Sequence, residues 1–145
     1  MDGVLAEGPP PSEMRWGRMD GSLRALRRMF LLDWYSAAKL LHDPREKFFW
    51  VISARKEDPE VRAVSMRWLQ SRFPGRIGHL FLLQGARTIR NVVTYKAQVI
   101  SREGFTDFVE DNREVVRGVA RALPDCRVWL YKDGEISRWP PVVAS

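Results

Sequence analysis

The sequence is poor in the residues that build covalent and metal-bound frameworks. Its 145 residues include one cysteine, Cys126, and two histidines, His42 and His79, which excludes an intramolecular disulfide and any multi-cysteine metal site. A single cysteine is typical of a reducing compartment, so we expect a cytoplasmic protein without a bound metal. No cofactor is indicated, because the Gly-x-x-x-x-Gly-Lys-Ser/Thr phosphate-loop motif is missing.

Long apolar runs are also missing. A membrane-spanning helix needs about 20 apolar residues, and the longest candidate, Met29–Leu32, stops at Asp33. The first residues contain an early acid and no apolar centre, unlike a secretory signal. We therefore expect no membrane segment. Because residues 1–20 combine glycines with three consecutive prolines, we predict a flexible leader there, followed by one domain over residues 21–145.

Acidic residues are absent between Val61 and Arg102. The same stretch carries eight basic side chains, namely Arg62, Arg67, Arg72, Arg76, Arg87, Arg90, Lys96 and Arg102. The whole chain has a formal net charge of +6 and a pI near 10.0. This charge pattern favours an anionic partner, and a phosphate backbone is the obvious one. The open alternative is a solvated surface whose arginines pair with acids distant in sequence.

Hydrophobic periodicity predicts a helix or a strand for most of the chain after residue 20. We expect a first helix from Ser22 to about His42. A second helix begins at Asp58 and Pro59, since aspartate caps free amides and proline tolerates the first helical position. The apolar stripe over Phe105–Leu123 predicts a third. The predicted strands are Lys47–Ser53, His79–Leu83, Asn91–Ile100, Arg127–Tyr131 and Glu135–Trp139, the last two forming a hairpin about Asp133 and Gly134.

This order of elements shows little strand–helix–strand alternation and closes on a hairpin. It therefore predicts an α+β fold, in which a small mixed or antiparallel sheet closes towards a barrel and helices surround it.

The chain has six tryptophans, more than a small core needs. Tryptophan offers a flat face on which an unstacked base can lie. Trp50 lies on an apolar run typical of a core. Trp68 stands between Arg67 and Arg72 and is the candidate wall of a binding pocket, with a core position as the open alternative.

Several of these segments resemble the PUA-like superfamily in its EVE and YTH branches. The resemblance is carried by Phe48–Ser53, the helix bearing Trp68, His79–Gly85, Tyr95–Ser101 and Val128–Gly134. It covers about residues 47–140. It implies a small, strongly curved β-barrel that accepts an unpaired or modified base in an aromatic pocket without catalysis. The implied pocket has Trp68 as one wall, and Trp50 and Ser53 lie near its floor.

The sequence therefore predicts a non-enzymatic nucleic-acid-binding domain, with RNA or a modified base in DNA as its target. The residues expected to hold phosphates are Arg62, Arg67, Arg72, Arg87, Arg90 and Lys96. Two alternatives stay open. In one, the largely apolar first helix, Ser22–His42, packs on a second copy, and the protein is an interaction module. In the other, an enzyme holds Cys126, His79 and a carboxylate in one cleft.

Overall fold

The structure, a computed structural model, describes residues 4–6 and 21–140. In these ranges the helices are α1 (Gly21–Ala37), α2 (Pro59–Arg72), α3 (Ile89–Glu103) and α4 (Arg113–Ala122). The strands are β1 (Phe49–Lys56), β2 (Ile77–Leu83), β3 (Asp107–Glu110), β4 (Arg127–Lys132) and β5 (Glu135–Trp139). None of the helices described is long and apolar enough to cross a membrane.

The elements with strong local signals form where the sequence predicts them. α2 begins after Asp58, whose carboxylate accepts hydrogen bonds from the N–H groups of Glu60 and Val61 at 2.9 and 3.3 Å. β4 and β5 pair as the predicted antiparallel hairpin. Their turn places Asp133 and Gly134 at φ angles of 51° and 87°, the left-handed region that Asp-Gly turns favour. The strands predicted around residues 50 and 80 are confirmed as β1 and β2.

The predicted strand Asn91–Ile100 is wrong, because this segment lies within α3. The buried residues of α3 include Val92, Lys96, Val99 and Ile100, whose spacing of three and four fits one helix face. The hydroxyl of Thr88 caps the amino terminus by accepting a hydrogen bond from the Asn91 N–H group at 3.2 Å. Capping and helical spacing outweigh the alternation of apolar residues that suggested a strand.

The single helix predicted over Phe105–Leu123 is also wrong. Its first part is strand β3, and Asn112 then caps α4 by accepting hydrogen bonds from the N–H groups of Glu114 and Val115. The first helix likewise ends at Ala37, before the expected His42. Beyond Ala37 the chain turns away from helical geometry, and Leu40 forms an antiparallel bridge with Ala6.

The sheets are organised by two strand–helix–strand units, which the sequence reading did not anticipate. β1 and β2 are parallel and are connected through α2, while β3 and β4 are parallel and are connected through α4. β5 extends the second sheet on the far side of β4. The mixed α and β composition is confirmed. Among the residues described, however, the strands form a two-stranded and a three-stranded open sheet rather than a closed barrel.

Both sheets lie between the same two helical layers. Val51 of β1 and Tyr131 of β4 belong to one buried cluster, together with Trp68 of α2. Ile52 of β1 and Val128 of β4 belong to a second cluster. The second cluster also contains buried residues of α3 and α4, namely Val92, Val99, Ile100, Val115, Val116 and Val119. Successive strand residues therefore face opposite helical layers, as the strand period of two requires.

Part of the predicted leader belongs to the folded domain. Val4, Leu5 and Ala6 are all buried and contribute to the first cluster. The carbonyl of Leu5 accepts a hydrogen bond from the N–H group of Leu41 at 3.0 Å. This short apolar segment is tied down by packing and pairing, so the prediction of a flexible leader is wrong for residues 4–6. Residues 7–20 of the predicted leader lie outside the described residues.

Candidate ligand site at the carboxyl ends of the parallel strands

The two sheets are related in a way that fixes the direction of their inner strands. β1 pairs with β2 and β3 with β4 among the residues described, and one cavity is lined by residues of β1, of β3 and by Ile136 of β5. α2 packs on one face and α4 on the other. The rings of Trp50, near the start of β1, and Phe105, just before β3, lie 5.3 Å apart, so the two strands begin at the same edge. Their carboxyl ends therefore share one edge.

This edge is a topological switch point, where open sheets of this kind bind ligands. We call it the carboxyl edge; it comprises residues 55–59, from the end of β1 to the start of α2, and residues 110–113, from the end of β3 to the start of α4. α2 and α4 begin within it, so both helix amino termini lie at the same edge. The positive ends of the two helix dipoles favour negative charge, although the Asp58 carboxylate and the Asn112 side chain already accept hydrogen bonds from two N–H groups at each end.

A buried ion pair stands at the end of β3. The ammonium group of Lys96, on α3, contacts the carboxylate of Glu110, and the two side chains are only 5% and 7% exposed. The second carboxylate oxygen of Glu110 accepts a hydrogen bond from the Asn112 N–H group at 3.2 Å. Burial is the largest single effect and acts to raise the pKa of Glu110, but the charge of Lys96 together with hydrogen bonds from Asp111 and Lys96 lowers that pKa to about 2.

Asp111 follows directly and carries a second carboxyl group. Burial of this carboxyl and its hydrogen bond with Glu110 raise the pKa of Asp111 to about 7, although the residue as a whole is exposed. Two neighbouring carboxyl groups thus have pKa values driven in opposite directions. Such a separation marks one group as a fixed charge and the other as a proton carrier near neutral pH.

The raised pKa of Asp111 predicts a specific dependence of stability on pH. Its pKa returns towards 3.8 in the unfolded chain, so the folded state binds more protons and loses stability as pH rises from about 4 to about 7. Asp111→Asn removes this loss. We expect the substitution to raise the free energy of unfolding by about 1 kcal/mol at pH 8, since solvent screens an exposed side chain, and to change it little at pH 4. Urea unfolding at both pH values measures this, and a destabilised variant at pH 8 contradicts the prediction.

The end of β1 contributes a buried guanidinium group to the same region. Arg55 is 1% exposed; its guanidinium donates a hydrogen bond to the Ser65 hydroxyl at 2.7 Å and lies 3.6 Å from the centre of the Tyr35 ring. The Arg55 N–H group also donates to the Ser53 hydroxyl at 3.1 Å. These contacts hold Arg55 and Ser53 within the fold. Ser53, predicted near a pocket floor, is itself only 1% exposed.

The structure does not bring the predicted aromatic pocket together. Trp68 is 3% exposed, and its indole N–H group donates to the Ala38 carbonyl at 2.8 Å. Trp50 is 47% exposed and lies on the other face of the sheet, with its ring 5.3 Å from that of Phe105. Trp68 is therefore a core residue, because its large ring is buried in the first cluster, with Phe73 beside it. This corrects its expected place as a pocket wall.

The predicted phosphate contacts fall into two groups. Arg62 is partly exposed but is paired with Glu57 and donates to the Leu80 carbonyl, whereas Lys96 is buried against Glu110. Their charges are neutralised by acids outside the acid-free stretch. The other four, Arg67, Arg72, Arg87 and Arg90, are exposed, and no ion pair joins them to an acid within the part of the chain described.

The enzyme alternative based on Cys126 gains no support from the structure. His79 lies on β2, whereas Cys126 precedes β4 in the other sheet. Burial raises the pKa of the Cys126 thiol, which opposes formation of a reactive thiolate. Across residues 4–6 and 21–140, no three His, Cys, Asp or Glu side chains gather as metal ligands.

Sequence reasoning missed the residues that define the carboxyl edge. Glu110 and Asp111 were assigned to the outer face of a helix, and Lys96 to the wet face of a strand. The signal that could have found them is the order of residues in Asp107–Arg113. The short run of Phe108 and Val109 lies between Asp107 and Glu110, and Asn112 then stands as a helix cap, which indicates that a new helix begins there.

The comparisons with known proteins add no relationship. No protein-family model matches this chain, and neither does any curated protein or solved structure. The resemblance to the PUA-like superfamily therefore stays a prediction.

Proposed function

We propose that the protein binds a small anion of the phosphate class at the carboxyl edge between β1 and β3. The observation that carries the proposal is that α2 and α4 both begin at this edge, with the buried Lys96–Glu110 pair at the end of β3. The amino termini attract negative charge. The ion pair holds the end of β3 against α3, which fixes the edge before a ligand arrives.

Asp111 makes this proposed binding dependent on pH. With its pKa raised to about 7, its carboxyl is mostly neutral at pH 5 and mostly charged at pH 8. A charged carboxylate beside the amino terminus of α4 repels an anion. Binding should therefore weaken as pH rises through 7. The same carboxyl can also give a proton to, or take one from, a bound ligand. The expectation that the protein is not an enzyme stays a prediction.

Sulfate is a suitable probe because it keeps the charge of a phosphate dianion across this pH range. We expect a sulfate titration of the full chain, followed by amide NMR shifts, to perturb residues 55–59 and 110–114 most strongly. Asp111→Asn should tighten sulfate binding about fivefold at pH 8, since one unit charge a few ångströms away is worth about 1 kcal/mol in water. At pH 5 the variant and the parent should bind alike.

The matched control is Asp125→Asn, which removes one exposed carboxylate before β4 and so at the opposite edge of the sheet. It should leave the sulfate affinity within about twofold at both pH values, because an exposed charge a Debye length away is largely screened. Equal changes in sulfate affinity in Asp111→Asn and Asp125→Asn would mean that only the net charge of the protein matters, and not the position of Asp111. That result would contradict the proposed site. Perturbation confined to the exposed arginines would place the anion elsewhere and overturn the proposal.

Nucleic-acid binding is the second candidate, and the exposed group Arg67, Arg72, Arg87 and Arg90 favours it. Its remaining basis is electrostatic, since Trp68 offers no exposed face for stacking. An arm of the same NMR experiment with a single-stranded RNA oligonucleotide separates the candidates, because RNA should perturb these four arginines rather than the carboxyl edge. The proposed homodimer through the first helix also stays a prediction. Leu26 and Met29 of α1 contribute exposed apolar surface to that helix.

A further inference from the structure

A polar cavity lies between strand β2 and helix α3. It has a volume of about 290 Å³ and is lined by Arg62 of α2, by His79 and Phe81 of β2, and by Tyr95 and Arg102 of α3, with a few neighbouring residues. We call this cavity the α3 pocket. Its volume is small for a ligand pocket and suits a molecule with one ring and a small substituent.

One face of α3 supplies hydrogen-bonding groups to the α3 pocket. Tyr95, Gln98 and Arg102 line the pocket and are spaced by three and four residues, which places them on one helix face. Within the part of the chain described, no hydrogen bond occupies the Tyr95 hydroxyl or the Gln98 amide. The Nε atom of Arg102 donates to the Glu103 carboxylate at 2.7 Å, and the Arg102 side chain is 65% exposed. Its two Nη groups therefore remain for a ligand.

The opposite wall of the α3 pocket is aromatic. His79 and Phe81 are two residues apart on β2 and so lie on the same face of that strand. Their ring centres are 4.5 Å apart, and the guanidinium of Arg102 lies 5.7 Å from the centre of the Phe81 ring. Aromatic rings pack favourably in offset or edge-on arrangements with other rings. A ligand ring against this wall would therefore have a cation close to its edge.

The charges around the α3 pocket favour a ligand with a single negative charge. Arg62 donates from Nε to the Glu57 carboxylate at 2.9 Å, so these two charges largely neutralise each other. Arg102 is then the cation that a ligand meets. Burial raises the pKa of Tyr95, so its hydroxyl stays a neutral donor at pH 7. Glu57 also lines the pocket, and its negative charge disfavours a dianion such as a phosphate ester.

We propose that the α3 pocket binds a small aromatic carboxylate with a single ring. The carboxylate accepts hydrogen bonds from the Arg102 guanidinium and the Tyr95 hydroxyl, and the ring packs against Phe81 and His79. A planar guanidinium matches a carboxylate with two parallel hydrogen bonds, which makes this pairing strong and directional. The proposal does not rest on anion binding at the carboxyl edge, because none of residues 110–113 lines the α3 pocket.

The test is an NMR titration of the full chain with benzoate at pH 7. The side-chain amide signals of Gln84 and Gln98, which both line the pocket, should shift with a Kd of about 1 mM or below. Benzamide has the same shape without the charge and should bind about tenfold more weakly. Cyclohexanecarboxylate keeps the charge but has no aromatic ring, and it should bind about fivefold more weakly. Equal binding of either control compound, or unshifted glutamine signals, overturns the proposal.

Matched variants separate the pocket from the net charge of the protein. Arg102→Gln should weaken benzoate binding about tenfold, because it removes a charged donor. Arg117→Gln makes the same change at an exposed residue of α4 outside the pocket and should keep the affinity within about twofold. Tyr95→Phe retains the ring and should weaken binding about threefold, the usual effect of one lost hydrogen bond.

Equal affinities of Arg102→Gln and Arg117→Gln for benzoate also overturn the proposal. The two proposed sites can fail independently, because their signals come from different residues. Sulfate at the carboxyl edge should shift residues 110–114, whereas benzoate in the α3 pocket should shift the side-chain amides of Gln84 and Gln98. Benzoate shifts at residues 110–114 alone would place the carboxylate at the carboxyl edge and remove the α3 pocket as its site.

Discussion

Replacing Lys96 with methionine is expected to lower the free energy of unfolding by about 3–5 kcal/mol. The substitution keeps most of the side-chain volume but leaves the Glu110 carboxylate buried without its cation, and an uncompensated buried charge costs this much. Both side chains are almost fully buried, so solvent screening does not rescue the remaining charge. Thermal unfolding should show a fall in melting temperature of about 10 °C or more.

The double variant Lys96→Met with Glu110→Gln shows whether the loss comes from the charge. It removes both charges, so it should recover a large part of the stability lost in Lys96→Met. The pH dependence gives a second check. Because the folded-state pKa of Glu110 is about 2, below its unfolded value near 4.5, the parent protein should lose stability as pH falls from about 5 to 2. A Lys96→Met variant as stable as the parent at pH 7 would contradict the buried pair.

The elements that could be predicted from the sequence are those decided by a few adjacent residues. Asp58 caps α2, and Asp133 with Gly134 forms a turn that favours a hairpin wherever the rest of the chain lies. The pairing of strands cannot be predicted from a few adjacent residues. Apolar runs in the sequence predict β1 and β2. Their parallel pairing depends on how α2 crosses the sheet.

α3 shows why apolar periodicity alone was insufficient. Val93, Tyr95, Ala97 and Val99 alternate as in a strand, while Val92, Lys96 and Val99 also fit one helix face. The residues at the two ends of the segment decide between helix and strand. Thr88 caps the first turn, and Gly104 ends the helix at a φ angle of 71°, which glycine adopts without strain. Interpreting this segment as a strand hides the strand–helix–strand order of the chain, and the closed barrel is predicted for that reason.

The candidate site could not be predicted from the sequence for a related reason. The absence of acids from residues 61–102 is real, but it says nothing about acids contributed from elsewhere in the fold. Lys96 meets Glu110, and Arg62 meets Glu57, both acids from outside that stretch. Long-range pairing is set by the topology. Arg67, Arg72, Arg87 and Arg90 are exposed, and their contact with phosphate stays a prediction.

Trp68→Ala is expected to destabilise the fold by about 3–5 kcal/mol, the usual cost of removing a large aromatic side chain from a core. The cause is a cavity among Leu69, Phe73 and Ala38, together with loss of the hydrogen bond that the indole donates to the Ala38 carbonyl. Trp68→Phe retains much of the packing and should cost less. Guanidinium chloride unfolding of both variants measures the difference.

The outcome distinguishes a core ring from a base-stacking ring. A stacking tryptophan on the surface would leave stability nearly unchanged when replaced by alanine, and would instead weaken RNA binding by about 1–3 kcal/mol. Trp50→Ala is the matched comparison, because that ring is 47% exposed and its loss should cost less stability than the loss of Trp68. If Trp68→Ala unfolded at the same denaturant concentration as the parent, the ring could not be buried in the first cluster, and the packing described for that cluster would be wrong.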